Sequence, residues 1–260
     1  MQGLDISPEI PAKRTTVFVA GTDTGVGKTL ATAALLSILR ANGTDAVPMK
    51  PIQTGCTIRK GTLVAPDLEF CLSTSGLRPD NTEKNMMTPY KFRPACSPHL
   101  AARLARTTIH PATIVKKCSD LKARHDFVVI EGAGGLLAPI GAGRTMLDLI
   151  IRLSSPVILV ARSGLGTINH SLLSLQRLRQ SKIEVLGIIF NQTQSGQPGY
   201  IESDNLTTVA RYGAVRVLGS LPFVPHLEKL HREPAAFTKW AKTHLNNNLS
   251  IYSQTAENLL

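Results

Sequence analysis

Aromatic residues, acids and long apolar stretches are all scarce in this sequence of 260 residues. Aromatics make up 5% of the residues, with one Trp, which favours an interior built from Val, Ile, Leu and Ala, as in parallel sheets. The strongly apolar stretches, such as PVILVA at 156–161, are far too short to cross a bilayer. The first fourteen residues lack an apolar centre, which argues against a secretory signal.

Cysteine is also sparse, and its spacing excludes several site classes. The four cysteines are Cys56, Cys71, Cys96 and Cys118, and no two of them form a C-x-x-C pair or another metal-ligand spacing. The pattern therefore predicts free thiols in a reducing compartment, and hence a cytoplasmic protein.

Basic residues outnumber acidic ones, with 29 Lys and Arg against 18 Asp and Glu. Much of the excess lies in residues 90–126, where it is spread over helix-like segments without interleaved aromatics. Single-strand binders combine charge with aromatic stacking platforms, so solvated helix faces are the better interpretation. We therefore expect neither nucleic acid nor a membrane as a partner.

Apolar segments of strand length alternate with amphipathic segments of helix length. The predicted strands are 15–20, 45–50, 127–135, 156–161, 185–192 and 215–223. Such alternation predicts an α/β fold with a mainly parallel central sheet and helices on both faces. We predict one such domain at 15–228, an N-terminal extension at 1–14, and a C-terminal helix and tail at 229–260 packed on the same domain.

A glycine-rich turn between the first strand and the first helix is the clearest functional signal. Its sequence is GTDTGVGKT at 21–29, which departs by one position from G-x-x-x-x-G-K-[ST], because Thr22 stands where the first glycine is usual. The glycines allow backbone N–H groups to point inward, and the helix N-terminus favours an anion. Lys28 adds a cation and Thr29 a hydroxyl for Mg²⁺. A P-loop NTPase type of fold is predicted, and a turn without a ligand is the alternative.

Further motifs accompany this loop. They are MKPIQTG at 49–55, SPHLAA at 97–102, VVIEGAGGLLAPI at 128–140, PVILVARSGLGTINHSLL at 156–173, GIIFNQ at 187–192 and LGSLPFVP at 218–225. With these motifs in this order, the sequence resembles the dethiobiotin synthetases from about residue 15 to 228. The glycine-rich loop alone would not be specific for one family, whereas the complete set of motifs is.

The resemblance implies a ligase of biotin biosynthesis. One amine of 7,8-diaminononanoate takes up CO₂ as a carbamate, whose oxygen attacks the γ-phosphate of ATP. The second amine attacks the resulting carbamic–phosphoric anhydride, and dethiobiotin, ADP and phosphate are released. Such a reaction needs a cradle for ATP, cations around the developing charge and a dry slot that positions both amines.

Two lysines are implied to be catalytic: Lys28 at the γ-phosphate, and Lys50 at the carbamate and the transferring phosphoryl group. An ordinary surface lysine before a proline turn is the alternative for Lys50. The residues implied to contact ATP or its metal ion are Gly25, Val26, Gly27, Lys28, Thr29, Leu30, Asp67, Glu131, Gly132, Ala133, Gly134, Asn191, Gln192, Pro222, Phe223 and Val224.

Magnesium, the implied cofactor, prefers oxygen ligands. The resemblance gives it Thr29, Asp67 and Glu131. Asp67 follows a proline ahead of an apolar stretch, so it could instead only begin a helix, and Glu69 is a nearby rival. Asn191, at a strand end, can read an adenine edge or can serve as a turn former.

The substrate is implied to contact Thr24, Lys50, Thr54 and Asn169. Residues 164–171 line the partner subunit's substrate site in the family, so a homodimer is implied. Without the resemblance, His170 would be a candidate catalytic base. Its position near a helix N-terminus is equally consistent with a role in capping and packing.

Other functions remain in competition at this stage. A partition- or division-site-positioning ATPase shares this type of fold, but it usually carries a second lysine at the position that Asp23 holds here. A cobyrinate-type amide-forming synthetase would need a glutamine-hydrolysing domain, for which little sequence follows residue 228. The intact Lys28, Thr29, Lys50 and Glu131 argue against a non-enzymatic nucleotide-binding module.

Overall fold

The computed structural model describes residues 15–196, 199–225 and 227–245. The predicted N-terminal extension, 1–14, and residues 246–260 of the predicted tail lie outside the described residues. The division of the chain into 1–14, 15–228 and 229–260 therefore stays a prediction.

A six-stranded parallel sheet forms the centre of the molecule, in the order β12-β11-β10-β1-β7-β2. Its strands are β1 (Thr16–Gly21), β2 (Ala46–Met49), β7 (Phe127–Gly135), β10 (Val157–Arg162), β11 (Val185–Asn191) and β12 (Val217–Leu221). All six correspond to predicted strands. Because parallel strands need crossover connections, the helices between them come to cover the sheet.

Ten helices occur within the described residues. They are α1 (Lys28–Ala41), α2 (Pro66–Ser75), α3 (Asn81–Met87), α4 (Pro98–Leu104), α5 (Pro111–Lys122), α6 (Met146–Leu153), α7 (Thr167–Gln180), α8 (Tyr200–Tyr212), α9 (Leu227–Leu230) and α10 (Pro234–His244). None of the helices in the described part of the chain has the length and apolar character required to cross a membrane.

Two hydrophobic cores lie on opposite faces of the sheet, because successive strand residues point to opposite sides. Along β1, Val17 and Val19 belong to the core that contains α1 and α10, whereas Phe18 and Ala20 belong to the core that contains α5, α6, α7 and α8. The predicted arrangement, a parallel sheet with helices on both faces, is confirmed.

Several short strands that were not predicted from the sequence lie outside the central sheet. They are β3 (Ile52–Gln53) paired with β6 (Tyr90–Lys91), the hairpin of β4 (Thr57–Arg59) and β5 (Thr62–Val64), and the pair of β8 (Pro139–Gly141) and β9 (Arg144–Thr145). Two or three residues cannot display a period, so no periodicity could predict them. The hairpin and the β3–β6 pair shape the segment between Lys50 and α2.

The helix α10 packs on the main body of the protein. Phe237 and Ala241 are buried in the core that α1 helps to form, and Leu245 bridges to Gly219 of β12. The close approach at this bridge depends on Gly219, which has a φ of 154°. A Cβ at Gly219 would collide with the carbonyl oxygen of His244.

We therefore expect Gly219→Ala to lower the free energy of unfolding by about 1–3 kcal/mol, because both backbone strain and the collision oppose the substitution. Chemical denaturation checks this value. Gly43→Ala is the matched control, since Gly43 also has a positive φ, of 85°, but nothing lies near its added Cβ. Equal losses in the two variants would contradict the role assigned to the bridge.

Candidate active site

The polar residues singled out from the sequence meet at one edge of the sheet, where the carboxyl ends of the parallel strands lie. The glycine-rich loop follows β1, Lys50 follows β2, and Glu131 is the middle residue of β7. Asn191 is the last residue of β11. Residues more than 100 positions apart are thereby brought to one surface.

The glycine-rich loop curls around the N-terminus of α1. Gly25 and Gly27 have φ angles of 73° and 97°, in the left-handed region that favours glycine. The Lys28 side chain folds back over the loop, with Nζ donating a hydrogen bond of 2.7 Å to the backbone oxygen of Asp23. Gly21 leaves room for it, because a Cβ there would lie 2.7 Å from Nζ. The loop thus encloses a lysine that is only 7% exposed.

An ion cluster lies beside the loop, with Lys50 and Glu131 buried and the Asp67 side chain 29% exposed. Lys50 Nζ donates hydrogen bonds of 2.6 Å to Glu131 Oε1 and 3.1 Å to the backbone oxygen of Gly132, and it forms an ion pair with Asp67 Oδ2 at 2.7 Å. Thr29 Oγ1 donates to the same Glu131 oxygen at 2.8 Å. Lys50 is 5% exposed, so it is not the surface lysine that the sequence left as an alternative.

Burial and neighbouring charges set the protonation of these groups. Burial, followed by the nearby Lys50 ammonium, lowers the pKa of Lys28 to about 8. Burial alone would also lower the pKa of Lys50, but the two carboxylates outweigh it and raise that pKa. Burial raises the pKa of Glu131, and the Lys50 ammonium limits the rise. Lys50 is therefore firmly cationic, whereas Lys28 titrates near the physiological range.

The structure distinguishes Asp67 from its rival. Asp67 lies in the first turn of α2, as the helix-start alternative predicted, and its carboxylate also reaches Lys50. Glu69 instead pairs with Lys84 at 2.9 Å, away from the cluster. Two residues along a helix correspond to a rotation of about 200°, so the two acids point in opposite directions.

A cleft of about 410 Å³ opens over the loop and the ion cluster; we call it the reaction cleft. The predicted site residues that line it are Thr24, Gly25, Gly27, Lys28, Thr29, Lys50, Thr54, Asp67, Glu131, Ala133 and Gly134. Asn169 is exposed on α7 and is not among the residues that line the cleft of its own chain. Gly132 contributes its backbone oxygen to Lys50 from behind the cleft.

A second cleft, of about 490 Å³, continues from the loop toward β11 and β12; we call it the base cleft. The predicted residues that line it are Gly25, Gly27, Thr29, Leu30, Asp67, Asn191, Gln192, Pro222, Phe223 and Val224. Asn191 Nδ2 donates to the backbone oxygen of Val26 at 3.1 Å, which fixes the orientation of the amide. Its buried Oδ1 has no hydrogen-bond partner among the described residues.

Comparison with known proteins places this geometry in a family. Residues 15–231 match the AAA domain family. An ATP-dependent dethiobiotin synthetase BioD of Halalkalibacterium halodurans is 38% identical over 81% of this chain and 85% of its own length. The corresponding protein of Anaeromyxobacter dehalogenans is 39% identical over 83% of this chain and 93% of its own length. The chain belongs to the dethiobiotin synthetase family.

The similar solved structures support the assignment of the fold, but not an assignment of function. The MinC:MinD cell division complex of Aquifex aeolicus aligns with a TM-score of 0.55 at 11% identity, covering 88% of this chain and 95% of that one. A ParA family ATPase of Chlorobium tepidum aligns with a TM-score of 0.53 at 12% identity, covering 88% and 99%. The fold is therefore that of P-loop nucleotide-binding proteins, and identities this low say nothing about activity.

In this member of the dethiobiotin synthetase family, several residues of the candidate site were not predicted from the sequence. Arg162, the last residue of β10, pairs with Asp23 Oδ2 of the glycine-rich loop at 3.0 Å. Asp23 also accepts from the backbone nitrogen of Thr24, so it ties the loop to the neighbouring strand. Strand-end placement was the available signal for Arg162. The others line the clefts: Ile52 and Gln53, which lie within the motif at 49–55, and Pro66 in the reaction cleft, and Phe70, Thr193 and Leu227 in the base cleft.

The oxygen atoms around Lys50 fit a magnesium ion. Asp67 and Glu131 already hold a cation between them, and Thr29 adds a hydroxyl. Within residues 15–196, 199–225 and 227–245, no three His, Cys, Asp or Glu side chains form a metal-binding group. Two carboxylates with a hydroxyl suit Mg²⁺, which usually completes its ligand set with water and substrate phosphates.

The lowered pKa of Lys28 predicts proton uptake when ATP binds. Above pH 8 much of the free protein carries neutral Lys28, and the phosphates favour the ammonium, so binding raises the pKa and takes up a proton. At pH 8.5 we expect roughly half to three quarters of a proton per ATP, measured by calorimetry in buffers of different ionisation enthalpy. Lys28→Arg should show no uptake, because arginine stays charged. Equal uptake in both proteins would refute the assignment.

Proposed function

We propose that this chain is an ATP-dependent dethiobiotin synthetase that closes the ring of 7,8-diaminononanoate with CO₂. Its membership of the family supports the reaction. The single observation that carries the proposal is the convergence, in one cleft, of Lys28, Thr29, Lys50 and Glu131. Such an arrangement combines a phosphate cradle with a buried cation at the place where a terminal phosphoryl group would lie.

The proposed reaction has three steps. One amine attacks CO₂, loses a proton and becomes a carbamate. A carbamate oxygen then forms a bond to the γ-phosphorus of ATP as the bond to the ADP oxygen breaks, which gives a carbamic–phosphoric anhydride. The second amine attacks the carbonyl carbon, loses a proton and expels phosphate, which closes the five-membered ring. The chain's contribution is to align two anions against their mutual repulsion.

Each cationic and polar group has a place in this scheme. Lys28 and the backbone N–H groups of the glycine-rich loop bind the phosphates, and Lys50 stabilises the carbamate and the transferring phosphoryl group. Thr29, Asp67 and Glu131 would hold Mg²⁺, which when bound neutralises charge between the phosphates. Thr24 and Thr54, which line the reaction cleft, are placed to contact the diamine or its carbamate.

The base cleft is proposed to bind adenine. Asn191 presents a buried oxygen to which none of the described residues donates a hydrogen bond, and an unpaired buried acceptor is costly. The exocyclic amine of adenine would supply the missing donor. Apolar contacts for the ring come from Leu30, Phe70 and Phe223, which line the same cleft.

A homodimer is proposed, with Asn169 completing the substrate site of the partner subunit. Asn169 is exposed near the start of α7, where the neighbouring Leu165 is 86% exposed and Leu173 is 56% exposed. Leu137 and Leu173 both line a further cleft of about 430 Å³ beside Thr24, and such exposed apolar groups are typical of an interaction surface. A cytoplasmic location is proposed from the four cysteines, all of them free.

The test of the proposed function supplies the purified protein with ATP, Mg²⁺, bicarbonate and 7,8-diaminononanoate. We expect dethiobiotin and phosphate to appear in equal amounts, and neither to appear at that rate when the diamine is omitted. ATP hydrolysis that ignores the diamine but rises strongly with DNA or lipid would overturn the proposal in favour of a positioning ATPase.

A further inference from the structure

Three oxygen atoms hold the ammonium of Lys50. It donates hydrogen bonds to Glu131 Oε1 and to the backbone oxygen of Gly132, and it forms an ion pair with Asp67 Oδ2. A lysine that moves toward a carbamate or phosphoryl oxygen in the cleft gives up at least one of these partners.

The partners of Lys50 are also the oxygens that the proposed metal ion would need. Glu131 Oε1 is shared by Lys50 Nζ and Thr29 Oγ1, at 2.6 and 2.8 Å. Mg²⁺ binds its oxygens at about 2.0–2.1 Å, so a metal ion on Asp67 and Glu131 would lie very close to the present position of Nζ. Two cations so close together in a buried cluster repel strongly.

We propose that Lys50 is the resident counter-ion of Asp67 and Glu131, and that an arriving divalent cation expels its ammonium into the reaction cleft. The proposal rests on the proposed function for the metal ligands and for the anionic carbamate that receives the ammonium. Metal binding and release of the catalytic lysine are then one event, so the lysine becomes available only when the metal ion is in place.

The backbone around Lys50 restricts this movement to the side chain. Its N–H donates a hydrogen bond of 2.8 Å to the oxygen of Met87, and Pro51 limits the next φ angle. Lys50 lines the reaction cleft together with Thr24 and Thr54. Rotation of the long side chain therefore moves Nζ within the cleft, whereas the main chain stays fixed.

The counter-ion also explains how the two acids lie together. Glu131 is 2% exposed, and an unpaired carboxylate there would be costly, whereas the Asp67 side chain is 29% exposed. Lys50 supplies one positive charge to both acids and donates hydrogen bonds to Glu131 and to the backbone oxygen of Gly132. A divalent cation supplies two charges, so it can replace the lysine without leaving the acids bare.

The test measures Mn²⁺ binding by electron paramagnetic resonance, without nucleotide and without diamine. Mn²⁺ accepts the oxygen ligands that suit Mg²⁺. Lys50→Met removes the competitor, so we expect at least about tenfold tighter binding than in the wild type, which corresponds to about 1.4 kcal/mol. Lys28→Met is the matched control. It removes the same charge from the same cleft, but Lys28 bonds to Asp23 rather than to either acid, so we expect a change below about threefold.

Unchanged Mn²⁺ affinity in Lys50→Met, or equal tightening in the two variants, would overturn the competition. A second measurement on the wild type keeps the test decisive if Lys50→Met folds poorly. The lysine side-chain NMR signal that disappears in Lys50→Arg should shift on saturation with Mg²⁺, and a signal that does not shift refutes release. Neither measurement needs the diamine, so a failure of dethiobiotin synthesis and a failure of this proposal are separately visible.

Discussion

Lys28→Met is expected to abolish ATP turnover while leaving the protein at least as stable as the wild type. Lys28 is the cation that the glycine-rich loop encloses, so its removal should lower kcat by at least about 10³-fold. Stability should not fall, because burial and Lys50 both disfavour the charged form, and methionine has a similar shape without the charge. Phosphate release in the complete reaction mixture and thermal unfolding check the two halves of the prediction.

Lys116→Met is the matched control for a lost lysine. Lys116 is largely exposed and pairs with Asp120 at 3.0 Å on α5, and such surface pairs contribute little. It should keep both wild-type turnover and wild-type stability. If Lys28→Met retained a tenth or more of the wild-type rate, or unfolded well below the wild type, Lys28 would be a structural lysine rather than the phosphate ligand.

The fold could be predicted from the sequence because its main elements are long and regular. The strand FVVIEGAGG was predicted at 127–135, and β7 spans the same residues. It continues past Glu131 because the backbone of Gly135 pairs with Gly21 of β1. The region between Lys50 and α2 gave no such signal, since strands of two or three residues depend on tertiary pairing rather than on local pattern.

The composition of the site could be predicted, but not its internal bonding. Strand-end placement brought Lys50 and Glu131 to one edge of the sheet, and motif matching added Asp67. The contacts of Lys50 with both acids depend on side-chain geometry, and Lys50 and Glu131 are 81 residues apart in the sequence. No sequence spacing reveals such contacts. The Asp23–Arg162 ion pair was not predicted, for the same reason. The roles given to these residues in catalysis and metal binding remain predictions.

Lys50→Met is expected to lower both turnover and stability, in contrast to Lys28→Met. Turnover should fall by about 10²–10³-fold, because the cation proposed to act at the carbamate and the transferring phosphoryl group is lost. Stability should fall by about 3–5 kcal/mol, because Asp67 and Glu131 lose the charge between them. ATP should still bind, since Lys28 and the glycine-rich loop are intact. Turnover, ATP affinity and denaturant unfolding are measured on the same preparation.

A double variant separates these two effects. Lys50→Met with Glu131→Gln removes one buried negative charge along with the positive one, so most of the lost stability should return. Because Glu131 is itself a proposed metal ligand, turnover is compared with that of Glu131→Gln alone, and it should be lower in the double variant, which also lacks the Lys50 cation. Should the double variant turn over as fast as Glu131→Gln, Lys50 would only hold the acids in place, and its assignment to the reacting groups would be wrong.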